Sequence, residues 1–110
     1  MERFVKGDVV VVPFPFSDLS RFKKRPALVA ASLKGDDLIL CQITSQSVSD
    51  QYSIKLKLSD IENGSLKRIS NIRPNRIFTC DQNIILYKVG TLQNKKVKTV
   101  INAIIEIFKA

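Results

Sequence analysis

The sequence predicts a small, mainly β domain: an antiparallel β-barrel with one α-helix at its C-terminus. Three observations lead there. Short runs rich in Val, Ile and Leu recur through residues 7–90, separated by clusters of Gly, Pro, Asp and Ser. Residues 51–59, QYSIKLKLS, alternate strictly between the two faces of a chain, as a half-buried antiparallel strand does. Only the tail changes period, with Val97, Val100, Ile101, Ile104, Ile105 and Phe108 recurring at helical spacing.

The elements follow in order. Residues 7–16, GDVVVVPFPF, read as the first strand. Four consecutive valines suit extended backbone and imply burial on both faces, while Pro13 and Pro15 end the ladder or mark an edge. Residues 16–25, FSDLSRFKKR, read as a loop too long for a hairpin turn, of the kind that often carries function. The second strand is 26–32, and KGDD at 34–37 is the strongest turn signal in the chain. The third strand is 38–44, so the second and third form a hairpin. In 51–59, Tyr52, Ile54, Leu56 and Leu58 share one face. DIENGS, 60–65, fits one helical turn stopped by Gly64. Residues 66–79 read as irregular and then strand-like, with Pro74 holding Arg73 extended, and 84–90 as the last strand. The tail is a helix of about four turns capped by Asn94, its apolar stripe laid over the open face or end of the barrel.

Length and charge bound the function. A chain of 110 residues is one domain (1–110), able to bury roughly 60–68% of its unfolded surface without staples. Eighteen Lys and Arg against ten Asp and Glu give a net charge of +8, which favours a polyanionic partner, most commonly nucleic acid. There is no histidine, and Cys41 and Cys80 have no metal-ligand spacing, which argues against a Cys/His zinc site. The N-terminal residues carry no signal-peptide pattern, so free thiols in a cytoplasmic protein are expected. No apolar run is long enough to span a membrane.

The same inventory narrows the chemistry. Without histidine the usual acid–base group near neutral pH is missing. No phosphate-binding glycine loop, metalloprotease motif or nucleophile elbow occurs, and Asp36 and Asp37 sit on a turn where adjacent side chains diverge. Arginines, hydroxyls and amides remain. In a hairpin turning at 34–37, the start of the second strand lies across from the end of the third, which brings Arg25 and Thr44 together. A guanidinium fork beside a hydroxyl suits the oxygens of a phosphodiester. Arg21, Lys23 and Lys24 lead into Arg25, and Gln42, Ser45 and Gln46 surround Thr44. Asn71, Arg73 and Arg76 can extend the same nucleic-acid track. Phe14, Phe16 and Phe22 either stack on unpaired bases or close the barrel end. Read only as residue types, Arg25 and Thr44 are equally an ordinary strand-end charge and an ordinary β former.

Taken together, GDVVVVPFPFSD, KRPALVAAS, LILCQITSQ, SNIRPNRIFTCD and ILYKVGTL resemble, in order and spacing, the MazF/PemK group of toxin endoribonucleases, from about Gly7 to Phe108. The resemblance implies a small SH3-like antiparallel barrel with a C-terminal helix, working as a homodimer. It implies cleavage of single-stranded RNA without metal or other cofactor, leaving cyclic phosphate and 5′-hydroxyl ends. It implies inhibition by a cognate antitoxin with an acidic, flexible segment. The family's catalytic arginine, ahead of the proline that opens strand two, falls on Arg25, and its catalytic threonine, after the Ile of strand three, on Thr44. The first loop is bulkier and more basic than the family's glycine-rich one, Asn71 stands where Gln is frequent, and Glu106 is the only acid of the helix. Two other readings stay open: a gyrase-poisoning toxin of the same fold that acts through protein contacts, and a nucleic-acid-binding module without catalysis.

Overall fold

Residues 3–15 and 22–110 are described in the computed structural model. Their strands are β1 (Asp8–Pro15), β2 (Phe22–Ser32), β3 (Asp37–Thr44), β4 (Ile54–Leu56), β5 (Ile61–Glu62), β6 (Ser70–Asp81) and β7 (Tyr87–Leu92), followed by the helix α1 (Asn94–Lys109). All pairings are antiparallel, in the order β4-β6-β3-β2-β1-β7-β5. The result is the mainly β, SH3-like half-barrel with a C-terminal helix that the sequence predicts, its two edges blunted by very short strands, β4 and β5.

Both faces of the central strands are buried. Val9, Leu28, Cys41, Ile43 and Ile72 point one way and pack under Val97 and Val100 of α1. Val10, Val12, Ala27, Val29 and Leu40 point the other way and meet Phe4, Leu38 and Ile85 where the sheet curls on itself. The four valines of β1 are at most 7% exposed, which explains why their run does not alternate with polar residues. The hairpin of β2 and β3 turns through Gly35, at φ 82°, and Arg3 clamps it through Asp36 and the Gly35 carbonyl.

Several boundaries differ from the sequence reading, each for a visible reason. β2 begins at Phe22, so Lys23, Lys24 and Arg25 are strand residues facing Phe14, Pro13 and Val12 of β1, and not loop residues. Pro13 and Pro15 do not stop β1: its pairing with β7 ends at Val11, so both prolines lie along a free edge. The strict alternation of 51–59 yields a strand only at 54–56. Asp50 ties Tyr52 and Ser53 into a turn, Asp60 ties Lys57 into a 3-10 turn at 58–60, and Tyr52 and Leu58 are exposed. Residues 61–62 pair with β7 where a helical turn was expected, and a Cβ on Gly64 would land on the Val89 carbonyl. Residues 82–84 form a 3-10 turn capped by the Asp81 carboxylate, which delays β7 to Tyr87. The N-cap of α1 is Gln93, held by the Asp60 and Ser59 carbonyls, and not Asn94. The stripe is covered as far as Ile104, with Val97 and Val100 buried and Ile101 and Ile104 packed against the core, while Ile105 and Phe108 are exposed.

Candidate nucleic-acid site at the end of the sheet

The site is built from three strand ends. Pairing of β2 with β3 runs to Ala27↔Gln42 and ends there, two residues short of Arg25 and Thr44. On the other side of β3, Gln42 faces Arg73 and Thr44 faces Asn71. Alternation along the strands therefore gives Arg25, Gln42, Thr44, Asn71 and Arg73 one common face. Behind them Ile43 and Ile72 are fully buried, so a packed core fixes the strands that present the polar residues.

β6 departs from the ladder at this point. Cys41 pairs with Ile77 but Gln42 pairs with Arg73, which leaves residues 74–76 bulged out of register. The bulge accommodates Pro74, which has no N–H to give a central ladder. The Cys41 thiol bridges the gap, donating to the Arg73 carbonyl at 3.0 Å. Burial pushes this thiol up to about 12, only partly offset by that hydrogen bond, so Cys41 is a structural group and not a nucleophile.

Around Thr44 the polar groups form a connected set. The Thr44 side chain is almost buried, and its Oγ1 accepts the Gln46 N–H at 3.2 Å. Asn71 Nδ2 donates to the Gln46 carbonyl at 3.1 Å. Arg73 Nη2 donates to Asp50 Oδ2 at 3.0 Å, while Asp50 Oδ1 accepts the Tyr52 and Ser53 amides. Desolvation raises the Asp50 carboxyl, but Arg73 and the two amides outweigh it and hold it below the usual carboxylate range. Thr44, Gln46, Ser47, Asp50 and Arg73 line a polar hollow of about 290 Å³. Only Nη2 of Arg73 is engaged in this pair, and its Nε is buried without a hydrogen-bond partner.

The predicted residues do not all gather in that hollow. Lys24, Arg25 and Ser45 line a second cavity of about 470 Å³, together with Lys67, Arg68 and Tyr87. Lys24 and Ser45 alternate to the opposite face of the sheet from Thr44. Lys23 and Arg76 are exposed and line neither cavity. The Phe14 ring packs on Phe78, with centroids 5.3 Å apart. Arg21, Phe16 and the Phe22 side chain lie outside the described residues. Among the described residues no three His, Cys, Asp or Glu side chains converge as a metal-binding group, and no described helix is long and apolar enough to cross a membrane.

Sequence reasoning missed four residues here. Asp50 is marked only by the turn it makes with residues 52 and 53, and nothing in the sequence links it to Arg73. Lys67 and Arg68 form a second cationic pair ahead of a strand, a pattern parallel to Lys24 and Arg25. Tyr87 gives no signal beyond being an exposed aromatic at a strand start.

Residues 5–108 match the family model described as the PemK-like, MazF-like toxin of type II toxin–antitoxin systems. The chain belongs to this toxin family. No curated protein matches it. Among solved structures, the chain is similar to an endoribonuclease from a mycobacterial species, with TM-score 0.71, 16% identity, and coverage of 99% of this chain and 94% of that one. It is similar also to a mycobacterial endoribonuclease in complex with its cognate antitoxin, with TM-score 0.72, 14% identity, and coverage of 96% and 95%. A third likeness is to the Mycobacterium tuberculosis toxin MazF-mt6, with TM-score 0.66, 14% identity, and coverage of 91% and 96%. At these identities the likeness is one of fold, and it extends over nearly the whole MazF-like chain, helix included.

Proposed function

We propose that this toxin is a metal-independent endoribonuclease that cuts single-stranded RNA, with Arg25 and Thr44 as its catalytic residues. The observation that supports the reading is the polar cluster at the end of β3, where Gln42 pairs with Arg73 and Thr44 with Asn71, beside the end of β2 that carries Arg25. In the reaction, the ribose 2′-oxygen attacks the adjacent phosphorus and the P–O5′ bond breaks. The 2′-hydroxyl proton is lost, the leaving 5′-oxygen gains one, and the products are a 2′,3′-cyclic phosphate and a 5′-hydroxyl. Arg25 stabilises charge on the phosphoryl oxygens; a guanidinium stays protonated in proteins and is a poor base. Thr44 holds a non-bridging oxygen or orients the 2′-hydroxyl. The need for that hydroxyl selects RNA over DNA. Arg73, Asn71 and the cations of the second cavity supply phosphate contacts.

The proposal extends to partners. The solved neighbour bound to its cognate antitoxin supports an antitoxin here too, with an acidic, flexible segment suited to a chain of net charge +8. Exposed Ile69, Ile105 and Phe108 support a homodimer, which doubles the positive field along an RNA groove. Messenger RNA as substrate carries a cytoplasmic location with it. The test is cleavage of a mixed-sequence RNA in excess EDTA, with product ends identified, for the wild type and for Arg25→Ala. Metal-free cleavage to cyclic phosphate ends, lost in a folded Arg25→Ala protein, is expected. Activity that vanishes on chelation and returns with Mg²⁺, or an active R25A protein, overturns the mechanism. Sedimentation at micromolar concentration checks the dimer, since an active 12.4 kDa species would exclude it.

A further inference from the structure

The 470 Å³ cavity on the face of the sheet opposite Thr44 has a composition that the catalytic pair does not use. One wall is cationic, from Lys24, Lys67 and Arg68, and Tyr87 stands at the rim with half its surface exposed. Ser45, Ser65 and Ser70 add hydroxyls, and Pro26, Val11 and Val89 give flat apolar surface. Among the described residues no acidic side chain lines it. Its volume is within the roughly 300–1,000 Å³ of sites that take a small ligand. Cations for a phosphate, an aromatic for stacking and hydroxyls for base edges are together what a single unpaired nucleotide requires. Arg25 borders this cavity, so a strand whose phosphate sits at Arg25 can extend directly into it.

We infer that this cavity is a nucleotide-binding subsite for an RNA residue flanking the cleaved linkage, in which Lys67 and Arg68 hold its phosphate and Tyr87 stacks on its base. The inference rests on the RNA reading above. Lys67 and Arg68 are exposed, so replacing both leaves the core intact. The subsite contributes binding more than bond-breaking, so its loss falls on KM rather than on kcat.

The experiment measures binding of a mixed-sequence 2′-O-methyl oligonucleotide, which cannot be cleaved by this chemistry, over a range of salt concentrations. The proteins compared are wild type, K67A/R68A and Y87L, each with a thermal melt as a control for folding. Removing two phosphate contacts should weaken binding about tenfold or more and flatten the salt dependence by about 1.4 in log K against log salt. Y87L should weaken binding by roughly 5- to 150-fold with the salt slope unchanged. In parallel, KM for a cleavable RNA should rise in both variants. Folded K67A/R68A protein with wild-type affinity and salt slope overturns the subsite. So does K67A/R68A binding RNA normally while binding the antitoxin poorly, which would make the cavity a protein contact. If the variants weaken binding as expected but even the wild type cleaves nothing, the subsite stands and the endoribonuclease reading is what fails.

Discussion

Replacing Thr44 by Val and by Ser separates what this side chain does for the fold from what it does for RNA. Thr44→Val keeps the shape and removes the hydroxyl. In the folded protein that hydroxyl accepts one hydrogen bond, the Gln46 N–H at 3.2 Å, and Gln46 is itself exposed. Water can take over the amide, so the loss belongs at the low end of the ~0.5–1.5 kcal/mol of a neutral hydrogen bond. Thr44→Ser keeps the hydroxyl and removes one buried methyl, worth about 0.8 kcal/mol by its area. The two variants should therefore melt within a few degrees of each other, at about 4–8 °C per kcal/mol for a domain of this size. Their activities should diverge. If Thr44 donates to a phosphoryl oxygen in the transition state, its loss costs about 10²–10³ in rate, as for a single oxyanion donor. Serine retains that donor. The assay is a fluorogenic RNA cleaved at saturating concentration, paired with melts of the same preparations. Thr44→Val cleaving at close to the wild-type rate, or Thr44→Ser failing as badly as Thr44→Val, would refute the assigned role.

Asp50 should give the protein an acid-sensitive contribution. Its folded pKa is lowered, so the stabilisation is present above the unfolded carboxylate value of about 3.9 and is lost as pH falls through the lower folded value. Asn at 50 keeps the acceptor for the Tyr52 and Ser53 amides but not the charge on Arg73, so wild-type and D50N melting curves should differ at neutral pH and converge in acid. Cys41 should resist alkylation in the native protein and react only on unfolding, as followed by mass spectrometry, because its thiol is buried and its pKa is pushed up to about 12. Gly64→Ala should destabilise by ~1–3 kcal/mol, since the added Cβ meets the Val89 carbonyl and must lift residues 61–64 off β7; a denaturant titration checks this.

What the sequence made legible was what neighbouring side chains decide locally. The four valines of β1, the Gly35 turn and the period of α1 each declare themselves within a few residues. The pairing of β2 with β3 was readable because a tight hairpin joins neighbouring strands. Features decided by distant partners were not. β2 extends back to Phe22 because β1 offers it a ladder, and Lys and Arg there carry no strand signal of their own. Tyr52 and Leu58 alternate correctly but are pulled out of the strand by Asp50 and Asp60. The Arg73–Asp50 pair joins residues 23 apart with no pattern between them, and the bulge at 74–76 shows only as a proline where a central strand would not want one. Ile105 and Phe108 belong to a regular stripe, yet nothing in the sequence marks them as the part left exposed.

The end of the sheet is suited to a phosphodiester for a reason that begins in its hydrogen bonding. There the ladder is incomplete on three strands: β2 loses β3 after Ala27, β1 loses β7 after Val11, and β6 bulges at 74–76. Irregular backbone of this kind can expose side chains of both faces along one rim, while the buried Ile43 and Ile72 immediately behind it keep the rim rigid. Among the described residues the two cavities are lined by Lys24, Arg25, Lys67, Arg68 and Arg73 and by one carboxylate, Asp50. Like charges collected along a rim repel one another in the free protein, and a polyanion relieves that repulsion as it binds. The relief is screened over about 8 Å at physiological ionic strength, so salt should weaken capture of RNA strongly. A guanidinium and a hydroxyl in contact with the reacting phosphate are screened far less, so the rate at saturating RNA should change little with salt. Binding and bond-breaking at this rim are thus separable by ionic strength alone.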